Sequence, residues 1–195
     1  MDVAARPALP RRNGPTAALL GMAVLVASEA TLFAAMIGTY YYLRFETAVW
    51  PPRGVPEPKW VVPVILVAVL VCSSVPMELG SRAAQQGRLA AARSFFLVAL
   101  VLQAGYFAYE VHDFADQLRE TPIDRNAYTS VYYTLLGADH AHVFVGILFV
   151  VWLLGKLAFG LTPYRVNAAR VITWYWHFVN LLTIVVLATL LSARA

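Results

Sequence analysis

Residues 174–186 read WYWHFVNLLTIVV, a run that is apolar except at His177 and Asn180. The run is at home in hydrocarbon, and its two polar side chains need partners that hydrocarbon does not supply. Extended both ways it becomes a block over 168–191, close to the ~20 apolar residues that a helix needs to cross a bilayer core of roughly 30 Å. Four comparable blocks precede it, at about 16–44, 60–82, 89–112 and 129–155. The chain of 195 residues is 60% hydrophobic and 13% charged, whereas soluble domains are about half apolar and about a quarter charged. These features predict an all-α polytopic membrane protein: one bundle of five transmembrane helices over 16–195, with no separate soluble domain. Residues 1–15, with three prolines and three arginines, read as a flexible basic tail.

The short connections carry an uneven charge. Alternate ones, with the tail, hold Arg6, Arg11, Arg12, Arg82, Arg88, Arg93, Lys156, Arg165 and Arg170 against Asp2 alone. The others hold Arg44, Arg53, Lys59, Arg119, Arg125 and Arg194 against Glu46, Glu57, Asp113, Asp116, Glu120 and Asp124. The positive-inside rule then places the N-terminus in the cytoplasm and, with five spans, the C-terminus outside. The basic residues are spread rather than gathered, so the net charge of +4 is no sign of nucleic-acid binding. Cys72 is the single cysteine, which excludes an internal disulfide and a multi-thiolate metal site. The first block is too long for a signal-peptide core and ends at the anchor Tyr40, Tyr41, Tyr42 and Arg44, so it is expected to stay uncleaved.

Ionisable residues inside the spans are expensive, about 2.5–3.5 kcal/mol at a helix centre on insertion scales, and each needs a reason. Glu78 has Arg82 four residues on, a structural ion pair at an interface. Glu110 shares its face with Gln103, Tyr106 and Asp113 near the outer end of the third span and reads as a wet helix end. Glu29 lies ~20 Å into the first span, close to mid-plane. Its face neighbours Leu25, Leu32 and Phe33 offer it no partner. It reads either as a protonated acid bonded to a neighbouring helix or as an acid that handles protons or touches lipid.

The fourth span carries Asp139, His140 and His142. Positions i and i+2 lie about 200° apart on a helix, so the two rings do not chelate one ion and no metal site is expected. Asp139 and His142 share a face, while His140 points toward another helix or a lipid-side crevice. In the fifth span Thr173, His177 and Asn180 form one stripe at i, i+4 and i+7. Asp139, His142, Thr173, His177 and Asn180 are therefore the expected interhelical polar contacts. His142 and His177 fall at similar depth, which leaves open axial ligation of a b-type haem; a hydrogen-bonded joint with Asp139 or Glu29 is the favoured reading.

Four segments resemble subunit III of the haem-copper oxidases, the cytochrome c and quinol oxidases. SEATLFAAMIGTYYYLR (28–44) is similar to the family's Ser-Glu-x-x-x-Phe helix, and LQAGYFAYEVHDF (102–114) resembles its Gln- and Glu-bearing helix. SVYYTLLGADHAHVFVGILF (130–149) resembles its Gly-x-His-x-x-His-Val-x-x-Gly helix, and WYWHFVNLLTIVVL its closing Tyr-Trp-His-Phe-Val-Asp segment. The resemblance puts the family's membrane-embedded acid at Glu29 and its helix histidines at His142 and His177. It departs at Asp139, where the family has the first histidine of that helix, at His140 for a glycine and at Asn180 for an aspartate. A pairing between these facing helices in altered form is compatible with that exchange. With five spans the chain resembles the shorter bacterial form rather than seven-span members.

The resemblance implies a non-catalytic subunit of a proton-pumping terminal oxidase in the bacterial inner membrane. Haem and copper would reside in the catalytic subunit I, its main contact, with other oxidase subunits and phospholipid as further partners. Its expected role is to stabilise the catalytic subunit, bind lipid and support proton uptake. The competing readings are a small b-type cytochrome using His142 and His177, an accessory subunit of a nitric-oxide reductase, and a proton-coupled transporter using Glu29. The last lacks the repeated halves and broken helices such folds often show.

Overall fold

A computed structural model describes residues 17–53, 55 and 60–192; the basic tail and part of the proline-rich first connection lie outside the described residues. Its helices are α1 (Ala17–Glu46), α2 (Val61–Cys72), α3 (Ser74–Gln85), α4 (Leu89–Glu120), α5 (Ala127–Leu157) and α6 (Pro163–Leu191). Among the described residues there are five helical stretches long and apolar enough to cross a membrane, α2 and α3 together forming the second. All the described regular structure is helical, as hydrocarbon demands of a chain that must satisfy its backbone internally.

The second span stays helical through Ser73, at φ −63° and ψ −17°, but its hydrogen-bond ladder is interrupted there because Pro76 has no N–H to give the Cys72 carbonyl. The turn after it is closed by Gly87 at φ 75°, with Gly87 N–H donating to Ala84 O and Arg88 N–H to Ala83 O. That is the paired C-terminal lock for which a left-handed glycine is suited. It sends α4 back against α3, where buried Ala83, Ala84, Ala92 and Ala99 allow close approach.

Helix ends run past the apolar blocks. α4 continues to Glu120, beyond the expected 112, because polar residues outside the bilayer sustain a helix as readily as apolar ones inside it. α5 begins at Ala127 behind a reciprocal cap, Asn126 Oδ1 accepting from Thr129 N–H and Thr129 Oγ1 from Asn126 N–H. α6 begins at Pro163, where Thr162 caps Arg165 N–H and proline takes the first helical position.

The spans are not equivalent. The second span, α4, α5 and α6 form a closed ring in which α4 packs on α3 and α5, and α6 packs on α3 and α5. α1 lies outside the ring, chiefly against α5 and α6. It is the least enclosed helix and α6 the most. One core gathers Leu70, Met77, Phe96, Val143, Val150 and Trp176 inside the ring. A second seats α1 through Phe33 and Tyr40 on Leu135, Leu182 and Val186. Trp50, from the first connection, packs edge-on against Tyr40 and Tyr128 and donates Nε1–H to the Tyr40 hydroxyl at 3.2 Å.

Candidate functional site

The polar residues within the spans meet around α5. Asp139, His140 and His142 lie within one turn, where each residue advances the helix by about 100°. His140 faces α4, while Asp139 and His142, only about 60° apart and expected to share a face, divide between two neighbours: Asp139 bonds α6 and His142 bonds α1.

His142 Nδ1 lies 2.7 Å from the Ala138 carbonyl, which can only accept, so this nitrogen carries a hydrogen. The other nitrogen, Nε2, lies 3.0 Å from Glu29 Oε2. With Nδ1 committed as donor, this contact must hold one proton, on the carboxyl or on the ring. In either form the pair is net neutral. Phe33 meets the imidazole edge-on at 5.1 Å, and Tyr175 donates its hydroxyl hydrogen to the His142 carbonyl at 3.2 Å. The side chains of Glu29 and His142 are 25% and 16% exposed. They border a recess lined otherwise by Leu25, Ala141, Val145, Phe149 and Tyr175. The acid that lacked a partner on its own helix finds one 113 residues away.

His140 meets Glu110 at 3.2 Å, with side-chain exposures of 8% and 11%. This corrects the reading of Glu110 as a wet helix end: it is buried and paired, and exposure along its face rises only toward Glu120. Phe114 packs edge-on against the same ring at 5.4 Å. Asp139, 1% exposed, accepts a hydrogen bond from Thr183 Oγ1 at 2.9 Å. The exchange between positions 139 and 180 therefore takes another form, since Asp139 bonds Thr183 and Asn180 bonds Ser74.

The stripe on α6 meets the second span at this interruption of its ladder. Asn180 donates to Ser74 Oγ, and His177 Nδ1 lies 3.3 Å from the same oxygen, with Nε2 3.8 Å from Glu78 Oε2. Thr173 bonds the Ala169 carbonyl at 2.9 Å and reaches the Met77 carbonyl at 3.4 Å. Trp176 Nε1–H donates to Ser73 Oγ at 2.9 Å. Glu78 and Arg82 pair at 2.7 Å. Pro76 was the available signal for this junction, since a proline within a span marks where helix order yields and side chains of neighbouring helices enter. His142 thus faces α1 and His177 faces α3; a haem shared between them would require both rings to leave these partners.

No group of three or more metal-ligating side chains gathers among the described residues. The molecule is a five-span helical membrane protein in which Glu29, Glu110, Asp139, His140 and His142 all make contacts between helices. Residues 15–191 match the family described as cytochrome c oxidase subunit III, and the chain belongs to that family. It is 32% identical to the probable cytochrome c oxidase subunit 3 of Nocardia farcinica over 93% of this chain and 91% of that one. Identity is 28% with the cytochrome c oxidase subunit 3 of Corynebacterium diphtheriae, over 94% and 91% of the two chains. With the quinol oxidase subunit 3 of Bacillus spizizenii it is 26%, over 85% and 82%. The protein is a terminal oxidase subunit III, a multi-pass protein of the bacterial inner membrane that works in complex with other oxidase subunits.

Proposed function

We propose that the chain supports proton uptake and sustained turnover of the oxidase's catalytic subunit, its main contact, without carrying haem or copper itself. Glu29 is the residue that carries this role, with His142 as its proton partner. The supporting observation is the Nε2–Oε2 contact of 3.0 Å on a ring whose Nδ1 is already committed to Ala138. A contact that must contain a proton, beside an apolar recess on the least enclosed helix, is suited to taking up and returning that proton near a neighbouring subunit. The outward surface of α1, with Leu20, Val24 and Leu32 exposed, is the surface that phospholipid and the catalytic subunit cover. The N-terminus lies in the cytoplasm and the C-terminus outside.

The test is Glu29→Gln in the assembled oxidase. The amide keeps a hydrogen bond to His142 but does not titrate. Assembly is expected to stay intact while proton uptake slows or the enzyme inactivates earlier in turnover. Unchanged turnover together with unchanged inactivation kinetics would overturn the role.

A further inference from the structure

Along α4, Gln103, Tyr106, Glu110, Asp113, Gln117 and Glu120 succeed one another at spacings of three and four, a single stripe on one face. At 1.5 Å per residue it is ~25 Å long. Gln103, Tyr106 and Glu110 are buried, Asp113 and Gln117 half-buried, and Glu120 exposed at the helix end. Two cavities lie along it. The outer one, of about 210 Å³, runs between the start of α2, the outer part of α4 and the first turns of α5, with the exposed Glu120 among its lining residues. The inner one, of about 50 Å³, reaches Tyr106, Asp139 and Thr183. Pro63, Glu110, Asp113, Gln117 and Tyr132 line both, so the two adjoin.

At the inner end of the stripe Gln103 is fully buried, and neither its amide nitrogen nor its oxygen has a protein partner. Buried polar groups are satisfied by protein or by ordered water. The outer cavity is large enough for several waters at ~30 Å³ each, and its carboxylates, amide and phenols supply the two to four partners that each one needs. A stripe of this composition would be costly against lipid, whereas water in the cavities would give its polar groups partners.

We propose that the stripe from Tyr106 to Glu120 is the wall of a water-filled crevice, open at the membrane face that bears the α4–α5 connection, through which protons reach the Glu110–His140 pair, with Gln103 one turn beyond its inner end. The groups facing that pair are Tyr106 and Asp113 from α4, and Tyr132 and Asp139 from α5. Among the described residues that line the inner cavity, α6 adds the hydroxyl of Thr183 and apolar side chains, and α2 adds the apolar Pro63 and Val67. α5 then carries two carboxyl–imidazole pairs, on different sides of the helix. Glu29–His142 borders its own recess, and neither of its residues lines the crevice. The proposal does not depend on the role given to Glu29.

The experiment uses the assembled oxidase in membrane vesicles with Cys72→Ser as background, and a membrane-impermeant thiol reagent bearing a quaternary ammonium. Asp113→Cys and Gln117→Cys place a thiol in the crevice. Val111→Cys, at a position 43% exposed on the bundle exterior, is the lipid-facing control. The crevice thiols are expected to react at least about tenfold faster than the control. Hydrocarbon raises a thiol's pKa, and each unit removes about tenfold of the reactive thiolate. Rates no faster than at Val111→Cys would overturn the crevice; should Asp113→Cys fail to assemble, Gln117→Cys decides alone. Infrared spectra read the proton. A carboxyl band abolished by Glu110→Gln, retained in Glu29→Gln and shifted promptly on transfer to D2O is expected. Absence of such a band at every medium pH, or one that keeps its proton in D2O, would overturn proton access to the pair.

Discussion

Two residues show how tightly the ring of helices is specified. A methyl group on Gly146 would come 2.6 and 2.8 Å from atoms of the Trp176 ring, closer than packed carbons tolerate. The ring has no simple escape, because it is fully buried and its Nε1–H is held by Ser73. Overpacking of this kind costs about 1–3 kcal/mol. Gly146→Ala is expected to lower the detergent-melting temperature of the complex or release subunit III earlier, and an unchanged melting curve would show that α5 and α6 separate more readily than this contact implies. The Trp176–Ser73 hydrogen bond is a smaller effect. Interhelical hydrogen bonds in membranes average about 0.6 kcal/mol and reach about 1.7, because the inserted but unpacked chain also finds partners. A double-mutant cycle with Ser73→Ala and Trp176→Phe should return a coupling in that range.

Sequence reasoning at this scale succeeded where the pattern was local and stopped where the partner was remote. Glu78 and Arg82 are four residues apart, and spacing alone pairs them. Glu110 and His140 are 30 residues apart on different helices, and the neighbours along α4 that made Glu110 look wet are themselves partly enclosed by α2 and α5.

Among the elements, the spans were legible because the length of an apolar block is set by the bilayer, whereas helix ends outside it are set by caps. Thr162 before Pro163 and Asn126 before Thr129 carried those starts in the sequence, several residues ahead of the apolar blocks they introduce. The caps also make a prediction. Asn126→Ala removes the acceptor for Thr129 N–H and should cost about 1 kcal/mol. The loss is expected as faster amide exchange over the first turn of α5, with the Glu29–His142 contact some 13 residues further on unaffected. The opposite end of α5 is closed differently. Arg93 of α4 directs Nε and Nη2 at the Leu157 carbonyl, at 3.1 and 2.6 Å, where the helix dipole is negative. A charged donor to a part-buried carbonyl contributes about 1.5–3 kcal/mol. Arg93→Met keeps the apolar stem and loses the charge, so thermal stability should fall while α4 remains helical by circular dichroism.

At the scale of the whole molecule the basic face and the helix polarity coincide. α3 and α5 end on the face where Arg82, Arg88, Arg93, Lys156, Arg165 and Arg170 gather, and Arg165 binds the Phe159 and Gly160 carbonyls just beyond α5. Arg93 and Arg165, two of the side chains that the positive-inside rule counts, thus also bind carbonyls at and just beyond the end of α5. The proposed cytoplasmic placement of this face therefore does not depend on the three arginines of the N-terminal tail. Replacing Arg6, Arg11 and Arg12 with glutamine leaves six basic residues on that side in short connections and helix ends, where positive charge counts most. An alkaline phosphatase fused after Ala195 should be active in both the parent and the triple variant, and a cytoplasm-dependent fluorescent reporter at the same point should stay dark in both. Fluorescence in the parent would invert the proposed topology. Fluorescence in the triple variant alone would mean that the tail, rather than the face built from α3 and α5, decides it.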